Sequence, residues 1–275
     1  MLFVSLSAMT DLKLATWNIN SVRLRIETVL SYLREHQPDV LCLQEIKATE
    51  DVFPYDAIRE AGWPHIAVAG FKGYNGVATI SRVPFANSGV KHWCGKEDGR
   101  HVWVELPGKV ELHNFYVPAG GDEPDPAINP KFEHKLAFLS DMAAWFAENK
   151  RPRAKRIMVG DLNVAPLETD VWSHKQLLKV VSHTPIEVDA MAVLQQSHDW
   201  VDALRYFVPE AEKVYSWWSY RSKDWEAADK GRRLDHVWVT PALKSALKSA
   251  EIHKHVRGWE KPSDHCPVAV TLDVL

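Results

Sequence analysis

A chain of 275 residues, 46% hydrophobic and 25% charged, can bury a sizeable core and is excluded from the disordered and fibrous classes. Its net charge of −3 argues against binding polyanions through bulk charge, and three scattered cysteines exclude a disulfide scaffold and a thiolate zinc site. No run approaches the roughly 18 apolar residues of a membrane span, and residues 1–9 (MLFVSLSAM) lack the basic start and cleavage pattern of a signal peptide. The expectation is a cytoplasmic protein with an N-terminal tail over 1–9, Met9 being an alternative start, and a single domain over 10–275.

In chain order, LKLATWNIN (12–20) alternates as a strand does, and RLRIETVLSYLREH (23–36) has the apolar spacing of a helix that Pro38 stops. DVLCLQE (39–45) and NGVATIS (75–81) read as buried strands. HVWVELPGKVELHNFYVP (101–118) reads as a hairpin turning on Pro-Gly-Lys. The Gly/Pro/Asp-rich stretch 119–130 is a long loop, and loops of that length in compact proteins are usually functional. A helix over 131–149 is followed by the basic run 150–156 and a strand ending in VGDLNVAP (159–166). Strands at 214–220, 233–240 and 267–274 and a helix from Pro241 to Ala250 complete the pattern.

Two of these strands echo each other: LATWNIN and IMVGDLN are apolar runs that each end in a polar-x-Asn triplet. Side chains two apart on a strand share a face, so Asn18 goes with Asn20 and Asp161 with Asn163. Glu45 ends its strand in the same way, Asp235 lies within an apolar strand, and Asp264 and His265 precede the last one. A buried carboxylate costs several kcal/mol unless it is paired, hydrogen-bonded or bound to a cation. Each residue alone has an ordinary explanation as a turn or cap; five polar strand ends in one chain are harder to explain that way. Oxygen donors without thiolates favour a hard ion, Mg²⁺ or Mn²⁺, and with a histidine they suit metal-assisted phosphoester hydrolysis.

The blocks TWNINSVR, LQEIK, NFYVPAG, GDLNVAP, SWWSYR, GRRLDHVWVT and SDHCPV, in that order, resemble the exodeoxyribonuclease III and abasic-site endonuclease family, within the endonuclease/exonuclease/phosphatase superfamily, in its bacterial branch. The resemblance spans essentially residues 11–275. It implies a four-layer α/β sandwich, two mixed β-sheets face to face with helices outside. It also implies roles: Glu45 as principal metal ligand beside Asn18, Asp264 supporting the metal side, and Asp161 orienting the attacking water with help from Asn163. His265, oriented by Asp235, would contact the scissile phosphate, and Tyr116 would donate to a phosphate oxygen. Asp161, Asn163 and His265 could also touch the metal.

Residues 213–261 hold 11 Lys or Arg against 6 Asp or Glu, a basic face on an acidic protein. Arg221, Lys223, Arg232 and Arg233 are candidates for DNA phosphates, with Trp217 and Trp218 as apolar wall or stacking surface. Trp217 and Leu234 match the family's pocket for an extruded abasic sugar, whereas Arg232 stands where some relatives have a large apolar residue. The expected partner is double-stranded DNA with abasic sites or 3′ ends, bound by a monomer. The rival readings are a non-catalytic nucleic-acid-binding regulator of the same fold, against which the full set of polar strand ends argues, and a phosphatase acting on a small phosphoester.

Overall fold

A computed structural model describes residues 11–274, so the expected tail over 1–9 lies outside the described residues. The strands are β1 (Asp11–Asn18), β2 (Val40–Gln44), β3 (His65–Ala69), β4 (Val77–Ser81), β5 (Asn87–Val90), β6 (His101–Leu106) and β7 (Val110–Tyr116). The second half adds β8 (Lys155–Asp161), β9 (Val201–Asp202), β10 (Trp217–Trp218), β11 (Gly231–Arg232), β12 (Asp235–Val239), β13 (Leu247–Ile252) and β14 (Val268–Asp273). Two six-stranded mixed sheets result, ordered β13-β14-β1-β2-β4-β3 and β5-β6-β7-β8-β12-β9, with β10 and β11 as a separate pair.

The echo in the sequence is an echo in topology. In the first sheet β1 lies between parallel β2 and antiparallel β14; in the second, β8 lies between parallel β7 and antiparallel β12. The inner faces supply one shared aliphatic layer: Leu12, Leu14, Val40, Cys42, Val268 and Val270 from one sheet meet Val104, Leu112, Ile157, Val159, Val237 and Val239 from the other. Outward side chains of β1 and β2 pack under helix Ile26–His36, and those of β7 and β8 under helices Pro130–Glu148 and Pro185–Ser197.

Following each inner face along its strand, composition changes with a two-residue period. Leu12, Leu14, Thr16 and Asn18 succeed one another on β1, and Ile157, Val159 and Asp161 on β8. An amide layer separates oil from carboxylates: Gln44 Nε2 donates to Thr16 Oγ1 (2.9 Å) and Asn114 Oδ1 (2.7 Å), and Asn114 Nδ2 donates to the carbonyls of Leu43 and Ala78. The polar strand ends are thus the last rung of a graded interface whose lower rungs are apolar. Gly160 sets the spacing there, since a Cβ at its φ of 138° would stand 1.9 Å from the Phe115 carbonyl oxygen of β7.

Most predicted elements are present. The Pro-Gly-Lys hairpin joins β6 and β7, with Gly108 and Lys109 at positive φ, and the helix expected over 131–149 runs Pro130–Glu148. One expectation is corrected. Pro241–Ala250 is not a helix; a 3₁₀ turn ends at Ala246 and the chain becomes edge strand β13, because pairing along β14 satisfies its backbone and buries Leu247. Helix Pro185–Ser197 escaped the periodicity argument, yet Thr184-Pro-Ile-Glu187 is a capping box with proline at the first helical position, a signal readable in sequence.

Candidate active site

Both central strands and their four neighbours bring polar groups to the same rim. Asn18 ends β1, Glu45 follows β2, Tyr116 ends β7, Asp161 ends β8, Asp235 opens β12, and His265 stands just before β14. Parallel strands contribute their C-terminal ends and the antiparallel strands their N-terminal ends. The backbone at this rim is unusual: Asn20, Ser21, Glu45, Lys47 and Asn163 all have positive φ without being glycine. Each such residue costs on the order of 1 kcal/mol, and surrounding bonds must offset it.

Asn18 connects the two sheets. Its Nδ2 donates to Glu45 Oε1 and to Asp161 Oδ2, each at 2.9 Å, while its Oδ1 accepts from Asn20 N. Tyr116 donates its hydroxyl proton to Glu45 Oε1 (2.8 Å), and Lys47 Nζ stands 3.0 Å from Glu45 Oε2. Burial raises the Glu45 pKa, but the bonds from Asn18 and Lys47 outweigh it and hold the carboxyl below its ordinary value. Tyr116, whose expected donation is to a phosphate oxygen, spends its proton on Glu45 here; burial and that carboxylate keep the phenol from ionising.

His265 and Asp235 form a directed pair. Asp235 Oδ2 faces His265 Nδ1 at 2.8 Å and accepts from Ser216 Oγ at 2.6 Å, leaving His265 Nε2 3.7 Å from Asp161 Oδ2. Burial disfavours the imidazolium, but Asp235 and Asp161 outweigh that and raise its pKa well above the usual range. Burial also raises Asp161, helped by the charges of Asp235 and Glu45 and opposed by His265. Ligand atoms of Asp161, Asp235 and His265 lie within 4.8 Å of one another. Asp235 Oδ2 is nevertheless engaged by Ser216 and His265, so its geometry fits orientation of the imidazole.

Asp264 accepts from Asn20 Nδ2 (3.1 Å) and from the Trp217 indole (3.0 Å), and its pKa is lowered despite burial, by His265 and these donors. Asn163 N donates to Asp161 Oδ1, and its Nδ2 donates to the Val117 carbonyl, so its carboxamide is aimed by β7. Four carboxylates, those of Glu45, Asp161, Asp235 and Asp264, gather here, with His265 and Lys47 as the cationic groups in direct contact. An oxygen-rich, acid-heavy donor set of this kind fits a divalent metal cation.

A cavity of about 830 Å³ opens beside this cluster, lined by Asp161, Asn163, Trp217, Arg221, Arg232 and Leu234 among others, and flanked by Asp122 of the long loop. Strand alternation divides the DNA-binding candidates. Trp217 and Arg232 face the cavity, with the Arg232 guanidinium 5.2 Å from the Trp217 ring centre and bonded to Val181 O and Ser182 Oγ. Their neighbours turn inward, and two expectations are corrected. Trp218 is buried against Tyr215 and Cys266, its indole on Asp229, with no free face to stack on a base. Arg233 is not available to a phosphate: it is 1% exposed, bonded to both oxygens of Asp170 at 2.8 Å and to Asp202 at 2.6 Å. Lys223 is exposed but outside the cavity lining.

The sequence reading missed Lys47, Ser216 and Lys135. Lys135 is fully buried in helix Pro130–Glu148, paired with Glu187, and donates to the carbonyls of Asn163 and Ala119, so it ties down both loops that edge the cavity. A buried lysine on an otherwise apolar helix face is the signal that would have found it.

Comparison with known proteins places this architecture. The model of the endonuclease/exonuclease/phosphatase family matches residues 15–265. The chain is 29% identical over 270 residues to exodeoxyribonuclease III of Haemophilus influenzae, covering 94% of this chain and 98% of that one. It is 31% identical to the exodeoxyribonuclease of Bacillus subtilis, covering 96% and 100%. Among solved structures, an AP endonuclease from Archaeoglobus fulgidus superposes with a TM-score of 0.88 at 30% identity, covering 96% and 100%. A Neisseria 3′ phosphatase bound to a product DNA hairpin superposes at 0.85 and 29%, covering 95% and 99%. With two mixed sheets joined at a carboxylate and histidine rim, the chain belongs to the endonuclease/exonuclease/phosphatase family, among its exodeoxyribonucleases and AP endonucleases.

Proposed function

We propose that this DNA repair nuclease hydrolyses phosphodiesters of duplex DNA with Mg²⁺ or Mn²⁺, incising 5′ to abasic sites and removing nucleotides or blocking groups from 3′ ends. The observation that carries the reading is geometric: at one rim the buried Asp161 carboxylate lies 3.7 Å from Nε2 of His265, whose Nδ1 is held by Asp235 at 2.8 Å.

Asp161 is built to take a proton. Its pKa is moved toward neutrality by burial and like charge, and a base with a pKa near the working pH is the most effective. Asn18 and the Asn163 amide hold one oxygen each, so a water beside Asp161 meets a fixed carboxylate. His265, its Nδ1 side held by Asp235, presents Nε2 to a phosphoryl oxygen and stabilises charge developing there. A hard divalent ion, when bound at Glu45, supplies positive charge to the same phosphoryl group. Trp217 and Leu234 form the apolar wall for a sugar turned out of the duplex, and Arg221 and Arg232 stand at the cavity for phosphates.

The test is a duplex carrying a tetrahydrofuran abasic analogue, assayed beside recessed-3′ and 3′-phosphate duplexes. Cleavage with Mg²⁺ or Mn²⁺ that EDTA abolishes is the expected result. A purified, folded protein that leaves all three substrates intact with either ion refutes the reading.

A further inference from the structure

Helix Ile26–His36 ends on Glu35 and His36, and the turn Lys254–Gly258 lays His255 against them. The Nε2 atoms of His36 and His255 are 3.3 Å apart. Glu35 Oε1 stands 3.1 Å from His255 Nε2 and 3.4 Å from His36 Nε2. Three donor atoms thus form a nearly equilateral triangle. In a tetrahedral site with bonds of about 2.0–2.1 Å to nitrogen and oxygen, neighbouring donor atoms are separated by about 3.3 Å.

The surroundings fix these groups for that task. The His36 ring is stacked on His253, with centroids 3.9 Å apart at 18°, and on Tyr32, at 4.6 Å and 29°. His253 is itself occupied, its Nδ1 on the Tyr32 hydroxyl and its Nε2 on Glu251, both at 2.9 Å, so it serves as a backing plate. Burial and the neighbouring His253 lower the His36 pKa and favour the neutral imidazole that binds metals. Glu35 and His255 are about half exposed, which leaves the outer side of the triangle open to water. Hydrogen bonding cannot exploit the arrangement fully. Two imidazole nitrogens and one carboxylate oxygen make three close pairs, but each N–H is directed at only one acceptor, whereas a cation at the centre engages all three atoms.

We propose that Glu35, His36 and His255 form a second metal site, at the surface, that takes a Zn²⁺-class ion. Two imidazoles and one carboxylate suit Zn²⁺, Co²⁺ or Ni²⁺ and are poor ligands for Mg²⁺, so the two sites sort ions by donor type. The bound ion staples the first helix to the turn Lys254–Gly258, which leads into the segment carrying Asp264 and His265.

The experiment uses the full chain in excess Mg²⁺, in a Glu45→Gln background that weakens the competing acidic site. Titration with Zn²⁺ by calorimetry, and with Co²⁺ by visible absorption, is compared with the same protein carrying His255→Ala or Glu35→Gln. The expected result is one Zn²⁺ per chain, an intense tetrahedral Co²⁺ spectrum and a Zn²⁺-dependent rise in Tm. Either substitution, at a half-exposed position that leaves the core intact, should weaken Zn²⁺ at least about tenfold and remove the Tm rise. Unchanged Zn²⁺ stoichiometry and affinity in His255→Ala, or no Zn²⁺ binding by the parent, overturns the proposal. Neither outcome depends on nuclease activity.

Discussion

Among the described residues, two buried clusters of several charges differ in a way that separates scaffold from the proposed machinery. In one, Asp170 and Asp202 meet Arg233 and Arg205: two carboxylates, two guanidiniums, and bonds from Arg233 of 2.6–2.8 Å. Its charges balance within the chain, although Arg205 Nε has no hydrogen-bond partner. In the other, Glu45, Asp161, Asp235 and Asp264 face His265 and Lys47, one Asp235 oxygen has no hydrogen-bond partner, and the backbone adopts left-handed conformations. The first cluster balances its own charge, while the second is left acid-heavy and open to a cavity. An incomplete buried charge balance is therefore a better mark of chemistry than the number of buried charges.

The largest effects should come from making the second cluster milder. Asp161→Asn is expected to lower kcat by about 10³-fold or more while leaving stability unchanged or raised, since it removes one of several crowded buried carboxylates. Single-turnover cleavage and urea unfolding read the two quantities, and a large stability loss would erase the distinction between the clusters. Asp235→Asn should cost about 10²–10⁴-fold in kcat, with DNA binding retained, because the amide holds the imidazole without supporting its charge.

The reverse pattern is expected in the first cluster. Asp170→Asn should cost about 3–5 kcal/mol of stability by stranding Arg233, with kcat of the remaining folded protein little changed. A pH series sharpens this. Arg233 holds the Asp170 and Asp202 carboxyls below their ordinary values despite burial. Their contribution is therefore complete above the unfolded value of about 3.9 and lost as pH falls below it. Acid unfolding should shift to higher pH in Asp170→Asn, as read by far-UV circular dichroism. The smallest effect belongs to Arg221→Ala, which should weaken DNA binding uniformly across sequences and reduce the salt slope by about one.

Much of the rim was legible in the sequence because strand periodicity places alternate residues on one face, and polar residues at the end of an apolar face are anomalous on their own terms. Asn18, Asp161 and Asp235 are of this kind. Arg232 and Arg233 mark the limit: the same residue type in adjacent positions, one at the cavity and one in the interior, with nothing in composition to say which alternation frame applies in a two-residue strand. Lys47 and Ser216 were missed because their partners, Glu45 and Asp235, meet them through left-handed turns and a long-range pairing that spacing does not encode. The Pro241–Ala250 error has the same root, since edge pairing with β14 overrode local helix propensity.

The graded interface between the sheets also sets when activity can appear. Asn18 reaches Asp161 across 143 positions of sequence, and His265 joins them only once β14 has docked between β13 and β1. During synthesis a chain that has emerged only through β8 still lacks the imidazole and its Asp235 support. On the roles proposed for these residues, cutting power is assembled last, and an unfinished or partly unfolded copy would be silent toward DNA.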